Sequence, residues 1–167
     1  SREMIAAGKN STTSGYGLFR FKTGASTLVW QNSAIGGIIQ RILNVQDSTL
    51  YTAGCSGDQL YVFKFSAKDG HLFWQKVFTV TNNKPEINDL VFDTTNGRLL
   101  LCGSIADLSN QRMAWLLQLD STGAVKGQIR RAGDSSGPSN RAFCVQNLSS
   151  GEILVCGQKQ RIGLDSA

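Results

Sequence analysis

Four cysteines, one histidine and a scatter of carboxylates are the residues here with the most chemical reach. The cysteines are Cys55, Cys102, Cys144 and Cys156, and none forms the Cys-x-x-Cys spacing of a zinc ribbon or a thioredoxin-like site. Cys144 and Cys156 flank a turn centred near Ser149-Ser150, so a symmetric hairpin sets them directly opposite, at a separation compatible with a disulfide. Two readings stand for this pair: a cross-strand disulfide in an oxidising compartment, or two buried thiols. Cys55 and Cys102 have no readable mutual geometry. His71 follows the turn residue Gly70 and reads as a surface turn neighbour; one imidazole cannot build a His-rich zinc site or a paired-His acid and base. No Gly-x-Ser-x-Gly elbow surrounds any serine. Asp58, Asp89, Asp93, Asp107 and Asp134 do not spell a calcium loop, and Asp69 and Asp120 stand where turns need a side-chain acceptor. No catalytic, cofactor-binding or metal-ligating residue is therefore expected. Two sequons, Asn10-Ser11-Thr12 and Asn147-Leu148-Ser149, mark Asn10, in a polar loop, and Asn147, at a hairpin tip, as candidate sites for N-linked glycans.

Composition bounds the elements that must carry these residues. The 167 residues are 41% hydrophobic and 17% charged, which excludes disordered, collagen-like and disulfide-knot classes. The balance of 17 Lys and Arg over 12 Asp and Glu gives a net charge of +5. The cations are dispersed, with Arg130-Arg131 and the pair Lys159 and Arg161 as the densest groups, so no nucleic-acid stripe is expected. The longest apolar runs, Leu99 to Cys102 and Trp115 to Leu117, fall far short of the roughly 18 to 20 residues that cross a bilayer. No membrane span is expected. The chain opens Ser1-Arg2-Glu3 without an apolar leader, so any secretion signal is expected to have been removed or to lie upstream.

Self-similarity is the strongest organising signal. Four apolar runs end in glycine: Met4 to Gly8, Leu50 to Gly54, Leu99 to Gly103 and Ile153 to Gly157. The glycines recur at intervals of about 45–55 residues, the period of a repeat built from one supersecondary unit. After each comes a polar loop and a second run, Leu18 to Phe21, Val62 to Phe65, Leu116 to Leu119 and a truncated Arg161 to Leu164. Turn glycines 24, 70 and 123 follow, then Leu28-Val29-Trp30-Gln31 and Leu72-Phe73-Trp74-Gln75, while the third unit reads Val125-Lys126-Gly127-Gln128 and loses the Trp. Leading runs, Ile38 to Val45, Ile87 to Phe92 and Ala142 to Leu148, complete each unit. All are short, rich in β-branched and aromatic residues, and bounded by turn pairs such as Asn96-Gly97, expected as a tight hairpin. Phe19 and Phe21, Phe63 and Phe65, and Leu117 and Leu119 alternate onto one face, with Arg20, Lys64 and Gln118 on the other. With no sustained helical stripe, the expectation is an all-β chain of four-stranded antiparallel sheets, a single domain (1–167) with units near 1–35, 36–84, 85–138 and 139–167. Strands ending at Gly54, Gly103 and Gly157 are expected, as are Trp30 and Trp74 in equivalent places against a neighbouring unit. One repeat before Cys144 and Cys156, the equivalent pair reads as Leu90 and Cys102, an apolar position.

A four-stranded unit of this period matches a β-propeller blade. The sequence resembles bacterial-type propeller repeats of the quinoprotein-like and related extracellular kind, which join an apolar turn of the form seen at Lys64-Phe65 to Asp69-Gly70 and at Gln118-Leu119-Asp120 to Gly123 with a following Trp-bearing strand. The likeness runs from about Met4 to Leu164 and concerns architecture. Gly127 in place of Trp, and Lys22-Thr23 in place of the acidic turn residue, depart from it. About fourteen strands make about three and a half blades, below the usual four to eight; a β-sandwich is the alternative. Two functions follow. One is a non-enzymatic structural or interaction scaffold, extracellular or at the cell surface, binding a protein partner or self-associating head-to-tail through exposed sheet edges into a filament or ring. The other is a fragment of a larger quinoprotein-like oxidoreductase with its active site outside this window; the vicinal cysteines of such enzymes are absent.

Overall fold

The computed structural model describes residues 3–9, 16–22, 24, 27–35, 38–81, 83–106, 111–131 and 139–160. Among them the chain is all β, and no helix is long and apolar enough to cross a membrane. Sheet 1 holds β1 (Glu3–Lys9), β2 (Tyr16–Lys22) and β3 (Thr27–Ile35). Sheet 2 holds β4 (Arg41–Val45), β5 (Thr49–Ser56), β6 (Gln59–Ser66) and β7 (Leu72–Thr79). Sheet 3 holds β8 (Lys84–Asp93), β9 (Arg98–Ala106), β10 (Arg112–Asp120) and β11 (Val125–Arg131), and sheet 4 holds β12 (Ser139–Asn147) and β13 (Ile153–Gln160). Every pairing joins strands consecutive in the chain, antiparallel. The truncated run at 161–164 and the sequon at Asn10 lie outside the described residues.

The sheets stack face to face through three apolar layers. Leu18 and Trp30 of sheet 1 meet Leu50, Phe63 and Phe65 of sheet 2. Tyr51, Ala53, Leu60 and Val62, on the opposite face of sheet 2, meet Ile87, Leu90, Leu99, Leu101, Trp115, Leu117 and Leu119 of sheet 3. Leu100, Cys102 and Leu116 meet Ala142 and Val145 of sheet 4. A two-sheet sandwich would have one such layer. The expected alternation holds, with both faces packed: Phe63 and Phe65 face sheet 1 and Val62 faces sheet 3, so successive residues Val62 and Phe63 are both fully buried, in different layers. That is why β5 and β9 read as continuous apolar runs rather than as alternation.

The glycines expected to end strands lie inside them, since β5 runs to Ser56, β9 to Ala106 and β13 to Gln160. A Cβ would stand 1.6 Å from the Ile38 carbonyl oxygen at Gly54, 1.8 Å from that of Glu86 at Gly103 and 2.0 Å from that of Arg141 at Gly157. The leading segment of each unit folds its backbone onto the next strand, and only glycine leaves room. In β8 and β12 this approach coincides with a one-residue bulge, at Asn88 and Phe143 respectively. The hairpin expected at Asn96-Gly97 is present, joining β8 to β9, but those two residues do not both take the positive φ expected of them. Residues 94–97 form the turn and, of that pair, Gly97 alone has positive φ, while the Asp93 carboxylate accepts hydrogen bonds from the backbone of Thr95 and Asn96 at 3.0 and 3.1 Å.

Candidate functional site

What the fold positions most regularly is a coupling between successive sheets. Arg20 and Trp30 face each other across β2 and β3, Lys64 and Trp74 across β6 and β7, and Gln118 and Gly127 across β10 and β11. A register shift follows Arg20, Lys64 and Gln118 alike, so the three pairs occupy one structural position. In sheet 1 the Trp30 indole N–H donates to the Ala67 carbonyl at 3.1 Å, and the Arg20 guanidinium donates to the same oxygen. In sheet 2 the Trp74 indole donates to Ser121 O at 3.0 Å, and the Lys64 ammonium to that oxygen at 3.3 Å. Both carbonyls lie in the turn before the last strand of the following sheet. Each Trp ring lies over the turn glycine there, within 2.6 Å of a Cβ at Gly70 and 3.3 Å of one at Gly123. Charge-assisted and indole donors thus converge on one carbonyl while the ring covers the turn. Sheet 3, with Gln118 and Gly127, lacks both donors.

A second seam runs along the leading strands. The Arg41 guanidinium donates to the Asn88 carbonyl at 2.5 Å, and the Asn88 amide donates to Ala142 O at 2.8 Å. Asp89 accepts from the Val145 backbone N–H at 3.0 Å. The bulges therefore bond from one sheet to the next. A third polar group closes the far end of sheet 3: Glu86 is salt-bridged to Arg112 at 2.6 Å and accepts from the Ser104 hydroxyl at 2.9 Å.

Burial pushes the pKa of Glu86 up, but hydrogen bonds from Arg112 and Ser104 outweigh it and hold the carboxyl below its ordinary range. Asp93, held chiefly by Asn96, and Asp120, held chiefly by Thr122, are lowered too. Lowered folded-state values mean stability that is present above the ordinary carboxylate range and lost as pH falls through the lowered values. The melting temperature is accordingly expected to fall on acidification below about pH 4, and less steeply in Glu86→Gln. A melting temperature that rises over that interval would refute the assignment.

Cys144 and Cys156 are directly paired across β12 and β13, as the spacing implies, but the burial expected of them is corrected. Both are exposed, and the thiols are unbonded in this structure. The connection between β12 and β13 is one residue longer than that between β8 and β9, so Asp89 and Cys102, not Leu90 and Cys102, are the corresponding pair one sheet earlier. A hydrogen bond to the Asp89 carboxylate, then partial desolvation and the neighbouring Cys156, push the pKa of Cys144 up. Burial pushes Cys55 and Cys102 up to about 12, so at neutral pH they are thiols without nucleophilic character. Iodoacetamide is expected to leave Cys55 and Cys102 unlabelled in the folded protein and to reach Cys144 and Cys156 once reduced, read by peptide mass spectrometry. Labelling of Cys55 at the rate of Cys156 would contradict that burial.

The remaining expected residues are placed as follows. Trp30, Phe63, Phe65, Leu117 and Leu119 are buried; Trp74, Phe19 and Phe21 are half-buried. His71 is exposed, its backbone N–H bonded to Asp69 and its ring edge-on to Phe73. Asn147 is the last residue of β12 rather than the hairpin tip, and its side-chain oxygen is buried. Among the described residues no three His, Cys, Asp or Glu side chains converge on a metal-sized point. Two cavities, of 330 and 420 Å³, flank Trp115, whose indole N–H finds no acceptor among the described residues. The roles of Asn88, Asp89 and Arg41 were not legible in the residue types, since they depend on bulges that no local pattern announces. The cations Arg20 and Lys64 were findable, because they recur at a fixed offset before Trp30 and Trp74. No protein-family model and no curated protein matches the chain.

Proposed function

We propose that this chain is a non-enzymatic structural or interaction scaffold of propeller-like repeats, about three and a half blades in this window, working outside the cell or at its surface. The observation that carries the reading is the twofold recurrence of the Trp and cation coupling, Arg20 and Trp30 onto Ala67 O, Lys64 and Trp74 onto Ser121 O. Such chemistry serves rigid stacking of sheets; it leaves those polar groups engaged with each other rather than aimed at a substrate. On this reading the partner is a protein or another copy of the chain, Asn10 and Asn147 carry glycans, and Cys144 and Cys156 close a disulfide in an oxidising compartment. Self-association through sheet edges, head-to-tail, yields a filament or a ring according to whether the rotation closes. Negative-stain microscopy of the purified protein tests this: ordered fibres or rings support it. A tightly bound redox cofactor absorbing visible light would instead make the chain a piece of a propeller oxidoreductase.

A further inference from the structure

The two outermost faces of the stack are the two halves of an interface that the molecule already builds internally. The rearward face of each sheet, toward the preceding one, is set by four residues in two cross-strand pairs. In sheet 2 these are Leu50 with Phe65 and Thr52 with Phe63; in sheet 3, Leu99 with Leu119 and Leu101 with Leu117. In sheet 1 the same positions hold Met4 with Phe21 and Ala6 with Phe19. The sheet 2 residues are all 0% exposed and those of sheet 3 at most 5%, whereas Met4 is 55% exposed and the stacked Phe19 and Phe21 rings are only half-buried. The turn beside them repeats the contrast: Gly70 and Gly123 are covered by side chains of the preceding sheet, while among the described residues nothing lies within 4 Å of a Cβ at Gly24.

The forward face behaves in the same way. Leu43 with Tyr51 in sheet 2 and Val91 with Leu100 in sheet 3 correspond to Gln146 with Leu154 in sheet 4. Tyr51 and Leu100 are each 1% exposed; Leu154 is 52% exposed, beside Phe143 at 45% and the two thiols. The layers between sheets thus continue past both ends of the stack as two unlike apolar faces.

We infer that the sheet 4 face of one copy docks on the sheet 1 face of a second copy, Leu154 and Phe143 against Met4, Phe19 and Phe21, continuing the internal interface between molecules. This rests on the self-associating scaffold reading and specifies it, placing the contact on sheet faces rather than edges. Faces of different composition make the contact heterologous, so each copy keeps one face free to add another. The occupant is a second copy because the chain itself carries both kinds of face at the positions its internal interfaces use, Met4, Phe19 and Phe21 on one and Leu154 on the other, with Gln146 the polar exchange for Leu43 and Val91.

The test is a complementation between two charged variants. Sedimentation of the unsubstituted chain is expected to show concentration-dependent assembly. Met4→Glu and Leu154→Glu, at positions more than half exposed, are each expected to sediment as monomers with an unchanged near-ultraviolet dichroism. Mixed in equal amounts they should form a single one-to-one dimer, because Met4→Glu retains an intact sheet 4 face and Leu154→Glu an intact sheet 1 face. A monomeric unsubstituted chain, assembly that survives in either variant, or a mixture that stays monomeric would each overturn the face-to-face contact. Visible absorption recorded on the same samples keeps the two readings apart. A colourless monomer defeats this inference and leaves the scaffold, whereas a bound chromophore defeats the scaffold whatever the assembly state.

Discussion

Gly54→Ala is expected to destabilise the protein by about 3 kcal/mol or more, the upper range of overpacking, because the colliding atoms are backbone. The added Cβ would sit 1.6 Å from the Ile38 carbonyl oxygen and 2.5 Å from its carbon. No rotamer relieves this. The segment leading into β4 must lift, and with it go the bond from the Gln40 N–H to Ala53 O and the seating of Ile39, which is buried in the layer between sheets 1 and 2. For a domain of this size the corresponding fall in melting temperature is roughly 6–12 °C. Gly127→Ala is the control. There the nearest atom is the end of the flexible Gln118 side chain, at 3.2 Å, and the residue lies within β11, so alanine is expected to be neutral or slightly stabilising. Thermal melts of the two variants decide the point: equal melting temperatures would mean that the strand over Gly54 yields freely.

The repeating glycines show how much of this fold was legible and where legibility stopped. Gly54, Gly103 and Gly157 each lie under the carbonyl of a preceding segment, and a requirement that recurs leaves a recurring mark; Gly8, where a Cβ would meet only the Phe19 ring at 3.9 Å, does not share it. The reason for the requirement was not local. A glycine after an apolar run reads as a strand end, yet Gly103 lies mid-strand beneath the carbonyl of Glu86, 17 residues earlier in the chain. Turn chemistry located the β8–β9 hairpin but not its form. Asn96-Gly97 carries the composition of a tight hairpin, but the Asp93 side chain captures the neighbouring N–H groups and produces a four-residue turn. The turn whose central residues both adopt left-handed φ is Gln46-Asp47, at 51° and 53°, where nothing in the residue types announces it.

The candidate interfaces were legible to the extent that they depend on strand register. The equidistance of Cys144 and Cys156 from their turn placed them opposite each other, since hairpin pairing follows from counting. Their exposure was not legible: Cys156 takes the place that Cys102 holds in sheet 3, where sheet 4 buries it, whereas no described sheet covers the corresponding face of sheet 4. The seam formed by Arg41, Asn88 and Asp89 escaped for the same reason, as bulges are decided by packing of one sheet on the next.

Trp30→Ala is expected to cost about 3 to 5 kcal/mol, the range for a large aromatic deleted from a packed site. Trp30 is 9% exposed, its ring covers Gly70, and its indole N–H donates to Ala67 O. Deletion opens a void against Phe63 and Phe65 and exposes the turn, though Arg20 continues to satisfy the carbonyl. Trp30→Phe separates the two contributions, since it keeps most of the apolar volume and removes the donor; a loss of about 1 kcal/mol is expected, the net worth of one hydrogen bond whose acceptor keeps a second donor. Trp74 repeats the geometry with its ring partly open to solvent, so Trp74→Ala is expected to cost less, about 1.5 to 3 kcal/mol. Urea unfolding of the three variants gives the ordering directly. A Trp74→Ala loss equal to or larger than that of Trp30→Ala would mean that the coupling is governed by the turn carbonyl and its paired cation rather than by ring burial, and the two interfaces would then have to be ranked by Lys64 and Arg20 instead.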